Sequence, residues 1–427
     1  MKNPKSQILL SPKNNAEQKR LMHGGNHNFR WFTRYQHLVL IGFILSVYLD
    51  IPSYLFVLND SLLPKYFYFL FIFLVLPIIV LKDKAIFRYL QQPFVWWLAV
   101  FMVINIVHLI AELTDINANN DISNAIITRI DYFGLFLAIG FVVSITPTVS
   151  YQFLFPYLAV CITLLLVYDF LLPGVIYPIG YGYSVQGRAA ATFINANRAG
   201  EALLLCLFLS IPVVRSWYLF LLYMLVGIGI YVTFSRAALI IWFFLGFFLF
   251  YIRSIPRYAF IVSFILIGFV YMAPALYQDY VLARTDSSSE KNIQERMLFT
   301  QDANLSDSSS QERIMVLEEG LKVFFENPIL GGGACMTSFW ALRSGPHNTS
   351  VLLAAEYGIF GVALFLWLLV ILLRGNYIMN KEYQIVGTLL ILYLSIFTHN
   401  IVESLYFMLS FSILTLTPRS LIFSSGS

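Results

Sequence analysis

Long apolar runs separated by short polar connections dominate the chain, and their length predicts helices that cross a membrane. The runs lie near residues 37–58, 64–81, 94–111, 125–145, 151–171, 199–214, 217–234, 237–252, 258–276, 351–373, 384–402 and 405–418. A helix needs about 20 apolar residues to span the hydrocarbon core, so the expected fold is an all-α polytopic membrane protein with about twelve transmembrane helices. Asp50, Pro52 and Pro418 interrupt the first and last runs. The polar segments divide the chain into a basic tail (1–36), nine spans (37–276), one long loop (277–350), three further spans (351–418) and a short tail (419–427).

Composition points the same way. Of 427 residues, 59% are hydrophobic, 17% aromatic and only 12% charged, with a mean hydropathy of +0.74. Soluble domains carry roughly a quarter charged residues, so an ordinary soluble enzyme is excluded and membrane lipids are the expected surroundings. A net charge of +4 in so apolar a chain gives no argument for a nucleic-acid partner. Cys161, Cys206 and Cys335 form no CxxC pair, and the first two, in apolar runs, read as packing residues.

Charge becomes informative once it is sorted by side. The tail carries Lys2, Lys5, Lys13, Lys19, Arg20, Arg30 and Arg34 and no apolar run before His37, an order unlike a cleavable signal peptide, so it reads as cytoplasmic. Threading twelve spans from there also places Lys82, Lys84, Arg88, Arg215, Arg253, Arg257, Arg374, Lys381 and Arg419 inside. Sixteen of the 27 basic residues then follow the positive-inside rule. Outside, segment 112–123 has three acids and no base, and the remaining charge gathers in 277–350. A loop of that length is uncommon unless it has a function. Its 286–310 part is rich in Ser, Asp and Asn and reads as a surface excursion. Ser309 and Glu312 then have capping-box spacing, followed by Ile314, Leu317, Leu321, Phe324 and Phe325, which predicts an amphipathic helix over 311–326, ended by Asn327-Pro328, lying against the outer membrane face. No repeat marks the paired halves of a transporter.

Several polar residues stand where a membrane tolerates them only with a reason. Arg236, in TFSRAAL, lies between the seventh and eighth runs. A rim arginine can snorkel to head groups, but this one faces outward against the charge bias, and its planar fork of donors suits phosphate oxygens. Arg313 falls in the first turn of the expected amphipathic helix, where a cation opposes the dipole. Alone it reads as a solvated surface charge; with Arg236 it closes a clamp for a diphosphate. In GRAAATFINANRAGEALLL (187–205), Asn195 and Asn197 read as helix caps, Arg188 and Arg198 can meet lipid phosphate or glycan, and Glu201 can pair with Arg198. His347 follows the glycine turn at 331–333 and Pro346, directly before a span. A lone histidine is more often structural, yet an imidazole at the outer boundary is poised for proton transfer. Arg129 and Asp131 read as a mutual or cross-helix ion pair, His108 as structural, and His399, Asn400 and Glu403 as polar lining without specified chemistry. With no P-loop, GxSxG, HExxH or paired-acid motif, the candidate centre is cationic, with no metal and no cofactor expected.

With NANRAGEALLL, TFSRAAL, ERIMVLEEGLKVFFENPILGGG and HNTSVLLAAEYGIFGVALFLWLL in one many-spanning chain, the sequence resembles the O-antigen ligase and polymerase superfamily. The motif blocks 187–240 and 312–368 cover about a quarter of the chain. The resemblance implies a glycosyltransferase of the bacterial inner membrane, with both termini cytoplasmic and its active site at the periplasmic face. It would move a glycan from undecaprenyl diphosphate to an acceptor hydroxyl on lipid A-core or another glycan. It further implies that Arg236 and Arg313 grip the diphosphate, that His347 activates the acceptor, and that Arg188, Arg198, Asn348 and Glu356 contact substrate. Ile314-Met315 stand where relatives often place a tryptophan, and the Ser/Asp-rich insertion has no counterpart. A polymerase or a protein-glycosylation ligase of the same superfamily is the alternative. A transporter or flippase would place its ionisable groups near the midplane, whereas the candidates here crowd the outer boundary.

Overall fold

A computed structural model describes residues 27–114, 119–176, 188–252, 254–256, 258, 262, 265, 308–342, 345–375, 381–397 and 400–417. Most of the basic tail, nearly all of the ninth run, the 277–307 stretch, Arg253, Arg257, His399, Arg419 and the C-terminal tail lie outside the described residues. The described elements are helices: α1 (His27–Tyr48), α2 (Ile51–Leu58), α3 (Pro64–Leu81), α4 (Asp83–Leu90), α5 (Pro93–Thr114), α6 (Asn120–Ile145), α7 (Leu154–Leu171), α8 (Ala196–Ser210), α9 (Ser216–Val232), α10 (Arg236–Tyr251), α11 (Ser308–Glu326), α12 (Thr349–Leu373), α13 (Lys381–Phe397) and α14 (Leu405–Leu416), with short 3-10 turns at Thr148–Ser150 and Met336–Ser338.

Five helices are long and apolar enough to cross a membrane, and the bent pair of α1 and α2 makes a sixth. The pair bends by 60° at Asp50, whose φ of 48° lies in the left-handed region, and Pro52 opens the next helix. Helices α9, α10 and α14 are apolar but only 17, 16 and 12 residues long. At 1.5 Å per residue they reach about 18 to 26 Å, short of the roughly 30 Å core. By length and composition, six of the expected twelve spans are met among the described residues, and the ninth run lies almost wholly outside them. The apolar runs had absorbed residues such as Ile211–Val214 and Thr233–Phe234, which turn instead of continuing the helix.

Burial explains the arrangement. Every residue from Ala199 to Ser210 in α8 and from Tyr406 to Leu416 in α14 is buried, as befits helices apolar on all sides. Helix α3, by contrast, turns Phe69, Leu70, Phe73, Leu76 and Val80 outward, a surface suited to lipid. Small residues admit close approach: a Cβ on Gly200 would come within 2.8 Å of Ala238. That contact brings the start of α10 onto α8.

Helix α12 is broken at Gly358, where φ is 60° and ψ −140°. The loop before it docks into the break. Gly332 N–H donates to the Ala355 carbonyl at 2.7 Å, Gly333 N–H to that of Glu356 at 3.1 Å, and Ile359 N–H to that of Pro328 at 2.8 Å. A Cβ on Gly331 would lie 2.4 Å from the Glu356 backbone, and one on Gly358 2.5 Å from that of Ile329. The NPILGGG and EYG segments are thus two halves of one joint. Gly358→Ala is expected to destabilise the protein by more than the about 1–3 kcal/mol of the dihedral alone. The check is the thermal midpoint of the purified protein in detergent, and an unshifted midpoint counts against a rigid joint.

Helix α11 packs on α12. It buries Val316, Gly320 and Val323, and Gly320 makes room for Val351 and Pro346, which would meet its Cβ at 2.9 and 3.3 Å. Ile314, Leu321 and Phe325 of the expected apolar stripe point away and are exposed. Arg313 is the sixth residue of this helix, beyond the first turn where the dipole acts most strongly.

Candidate functional site

Three helices begin close together, each with its free backbone donors partly satisfied by a cap. Asn195 accepts from Asn197 N–H at 2.8 Å at the head of α8, and Asn348 from Ser350 and Val351 N–H at 3.0 and 3.2 Å at the head of α12. Ser235 accepts from Ala238 N–H at 3.5 Å at the head of α10. The loop before α8 is stitched to the turn before Arg236: Arg188 donates to the Thr233 carbonyl at 2.8 Å and to Asn197 Oδ1 at 2.7 Å. Asp169 holds the same loop from below by accepting from Ala190 and Ala191 N–H at 2.9 and 2.8 Å.

A cavity of about 160 Å³ opens among the start of α8, the Met336–Ser338 turn, the approach to α12 and the α13–α14 turn. Arg198, Glu201, Thr337, His347, Asn400 and Glu403 are the lining residues with the most chemistry. Behind it lies a buried ion cluster. Arg129 of α6 bonds Glu356 of α12 at 2.6 Å, with side-chain exposures of 4% and 0%, and also pairs with Glu403, whose side chain is 38% exposed. The guanidinium further meets the Tyr357 hydroxyl, which bonds Asn105 at 2.9 Å. Thr337 donates to the second oxygen of Glu356 at 2.6 Å. On the α8 side, Tyr406 donates to Glu201 at 2.7 Å, and Arg198 stands in the field of Asp50, Glu201 and Glu403.

Cys335 adjoins the cluster, and burial pushes its thiol up to about 12. At neutral pH it is therefore a neutral thiol with no nucleophilic role. Among the described residues, no group of three His, Cys, Asp or Glu side chains is arranged to hold a metal ion.

The structure brings two of the sequence-derived site residues, His347 and Arg198, into one cavity. Arg188 is instead a brace between loop and turn. Asn348 spends its carbonyl oxygen on the α12 cap, and both oxygens of Glu356 are engaged by Arg129 and Thr337. Arg236 heads α10 and Arg313 lies on α11; both are half-buried and neither lines the cavity. Arg129 pairs across helices, with Glu356 and Glu403 in place of Asp131. Sequence reasoning had given Glu403 no chemistry and had not singled out Thr337. The available signal for Glu403 was an ionisable residue at the end of an apolar run, which is expensive in a membrane without a partner.

Residues 219–366 match the family model described as O-antigen ligase. No curated protein matches the chain. The matched segment takes in Arg236, Arg313, His347, Asn348 and Glu356, while Arg188, Arg198 and Glu403 fall outside it.

Proposed function

From the match of residues 219–366 to the O-antigen ligase family model, we propose that the chain is a glycosyltransferase of that superfamily, which transfers a glycan from undecaprenyl diphosphate to a hydroxyl of lipid A-core at the periplasmic face of the inner membrane. The observation that carries this reading is the position of His347. It stands in a polar cavity beside Arg198 and Glu403, within the same matched segment that holds Arg236 and Arg313.

The chemistry follows from what a diphosphate leaving group needs. The acceptor oxygen attacks the anomeric carbon while the bond from that carbon to the diphosphate oxygen breaks, and charge builds on the departing diphosphate. Arg236 and Arg313 stabilise that charge, an effect strongest where water is scarce. His347 takes the proton of the attacking hydroxyl. Attack is direct, so the anomeric configuration inverts; a glycosyl-enzyme intermediate trapped during turnover would refute this route.

Deleting the gene and examining the glycolipids tests the assignment. The expected result is long glycan chains accumulating on undecaprenyl diphosphate, with lipopolysaccharide that lacks them. Lipopolysaccharide capped by a single repeat would instead make the protein a polymerase, and unchanged glycolipids would dismiss both.

A further inference from the structure

We propose that the cavity beside His347 is the subsite for an uncharged sugar ring of the acceptor, with Glu403 as its specificity-determining residue; this rests on the transferase reading above. The charge pattern decides what the cavity can take. Arg198 is its one lining guanidinium among the described residues, and it shares the lining with the carboxyl groups of Glu201 and Glu403. A phosphate entering here would find one guanidinium set against two acidic side chains, a lining that offers an anion little net attraction. An uncharged polyol does not depend on net charge. Its hydroxyls donate to carboxylate oxygens and accept from amides, and the lining supplies both kinds of group.

Size agrees with one ring. The cavity, about 160 Å³, has room for several ordered waters and so for a polar ring that displaces them. One donor is left waiting as well. Asn400 lines the cavity, and its amide nitrogen is buried without a hydrogen-bond partner among the described residues. A buried donor in that state costs stability unless a ligand completes it.

Glu403 is the group best prepared to read the ring. Arg129 holds its Oε1 from behind, and Arg129 is itself fixed by the buried Glu356. The carboxylate therefore keeps its direction with part of its surface open to the cavity. Glu201, the other lining carboxylate, is occupied by Tyr406. A carboxylate locked by its supporting shell discriminates between hydroxyl positions better than a mobile one, so Glu403 sets which sugar is held while His347, in the same cavity, faces the attacking hydroxyl.

The full-length protein purified in detergent tests this by saturation-transfer NMR with the methyl glycosides of glucose, galactose and N-acetylglucosamine as probes and inorganic pyrophosphate as competitor. The expected result is that at least one glycoside binds, that Glu403→Gln and Asn400→Ala each weaken it by about tenfold or more, and that pyrophosphate does not displace it. If Glu403→Gln fails to fold, Glu403→Asp keeps the charge, shortens the reach and is expected to show the same loss. No binding to the unaltered protein, unchanged binding in Glu403→Gln or Glu403→Asp, or displacement by pyrophosphate overturns the proposal. Glycoside binding requires no donor, so the two readings fail separately. Binding as expected in a protein whose gene deletion leaves all glycolipids unchanged overturns the transferase reading, whereas transfer with an unaltered acceptor KM in Glu403→Gln overturns the subsite.

Discussion

Alanine in place of His347 is expected to abolish glycan transfer while the protein still inserts and folds. A general base contributes about 10² to 10⁴ in rate, and no other imidazole among the described residues lines the cavity. The fold should survive because His347 is half-buried and outside the Arg129 cluster, and the α12 cap belongs to Asn348. His347→Gln separates the two roles of the ring: it can keep a hydrogen bond but cannot take a proton, so activity should stay near the alanine level. Arg313→Ala is expected to be as damaging, and Arg313→Lys only partly better, because a point charge lacks the planar fork that grips two phosphate oxygens. The measurement is complementation of the deletion strain read as the lipopolysaccharide ladder, with size-exclusion profiles as the folding control. Near-normal transfer in either alanine variant would remove that residue from the mechanism.

The largest loss of stability is expected from Arg129→Met. Methionine fills much of the volume but leaves the Glu356 carboxylate, with no exposed side-chain surface, facing only Thr337. Removing one partner of a buried pair typically costs about 3–5 kcal/mol, because the remaining charge keeps its desolvation penalty without its counter-ion. Adding Glu356→Gln should recover part of that loss, since the orphaned charge is gone; the four proteins form a double-mutant cycle whose coupling is the quantity of interest. Thermal midpoints in one detergent decide it. Equal midpoints for wild type and Arg129→Met would mean that the cluster does not hold α6 to α12. The same substitution also releases Glu403, so transfer should fall even at temperatures where the variant is folded.

The sequence made the all-helical membrane class legible because apolar composition and run length answer directly to the bilayer. It also placed the cap at Asn195 and the helix in the long loop, since these depend on neighbours a few residues away, whereas the cap at Asn348 was not read from it. It ran helices too far where turn residues were as apolar as the helices they join, as at Ile211–Val214. It did not reveal the face of α11 that packs on α12, because burial there follows the fit of Gly320 against Val351 and Pro346. The joint between NPILGGG and EYG was readable only as two glycine-rich motifs. Nothing in either segment says that the carbonyls freed at Gly358 face the amides of Gly332 and Gly333.

What the sequence determined by itself was the solvent, the helical class and a short catalogue of charges that a membrane accepts only with a reason. The tertiary structure alone decided which of those charges meet. Arg129 finds Glu356 and Glu403 at separations of 227 and 274 residues, and His347 and Arg198, 149 residues apart, come to line one cavity. Periodicity records which face of a helix is apolar, but an ion pair is fixed by how helices distant in sequence pack, and that information is spread over the whole core.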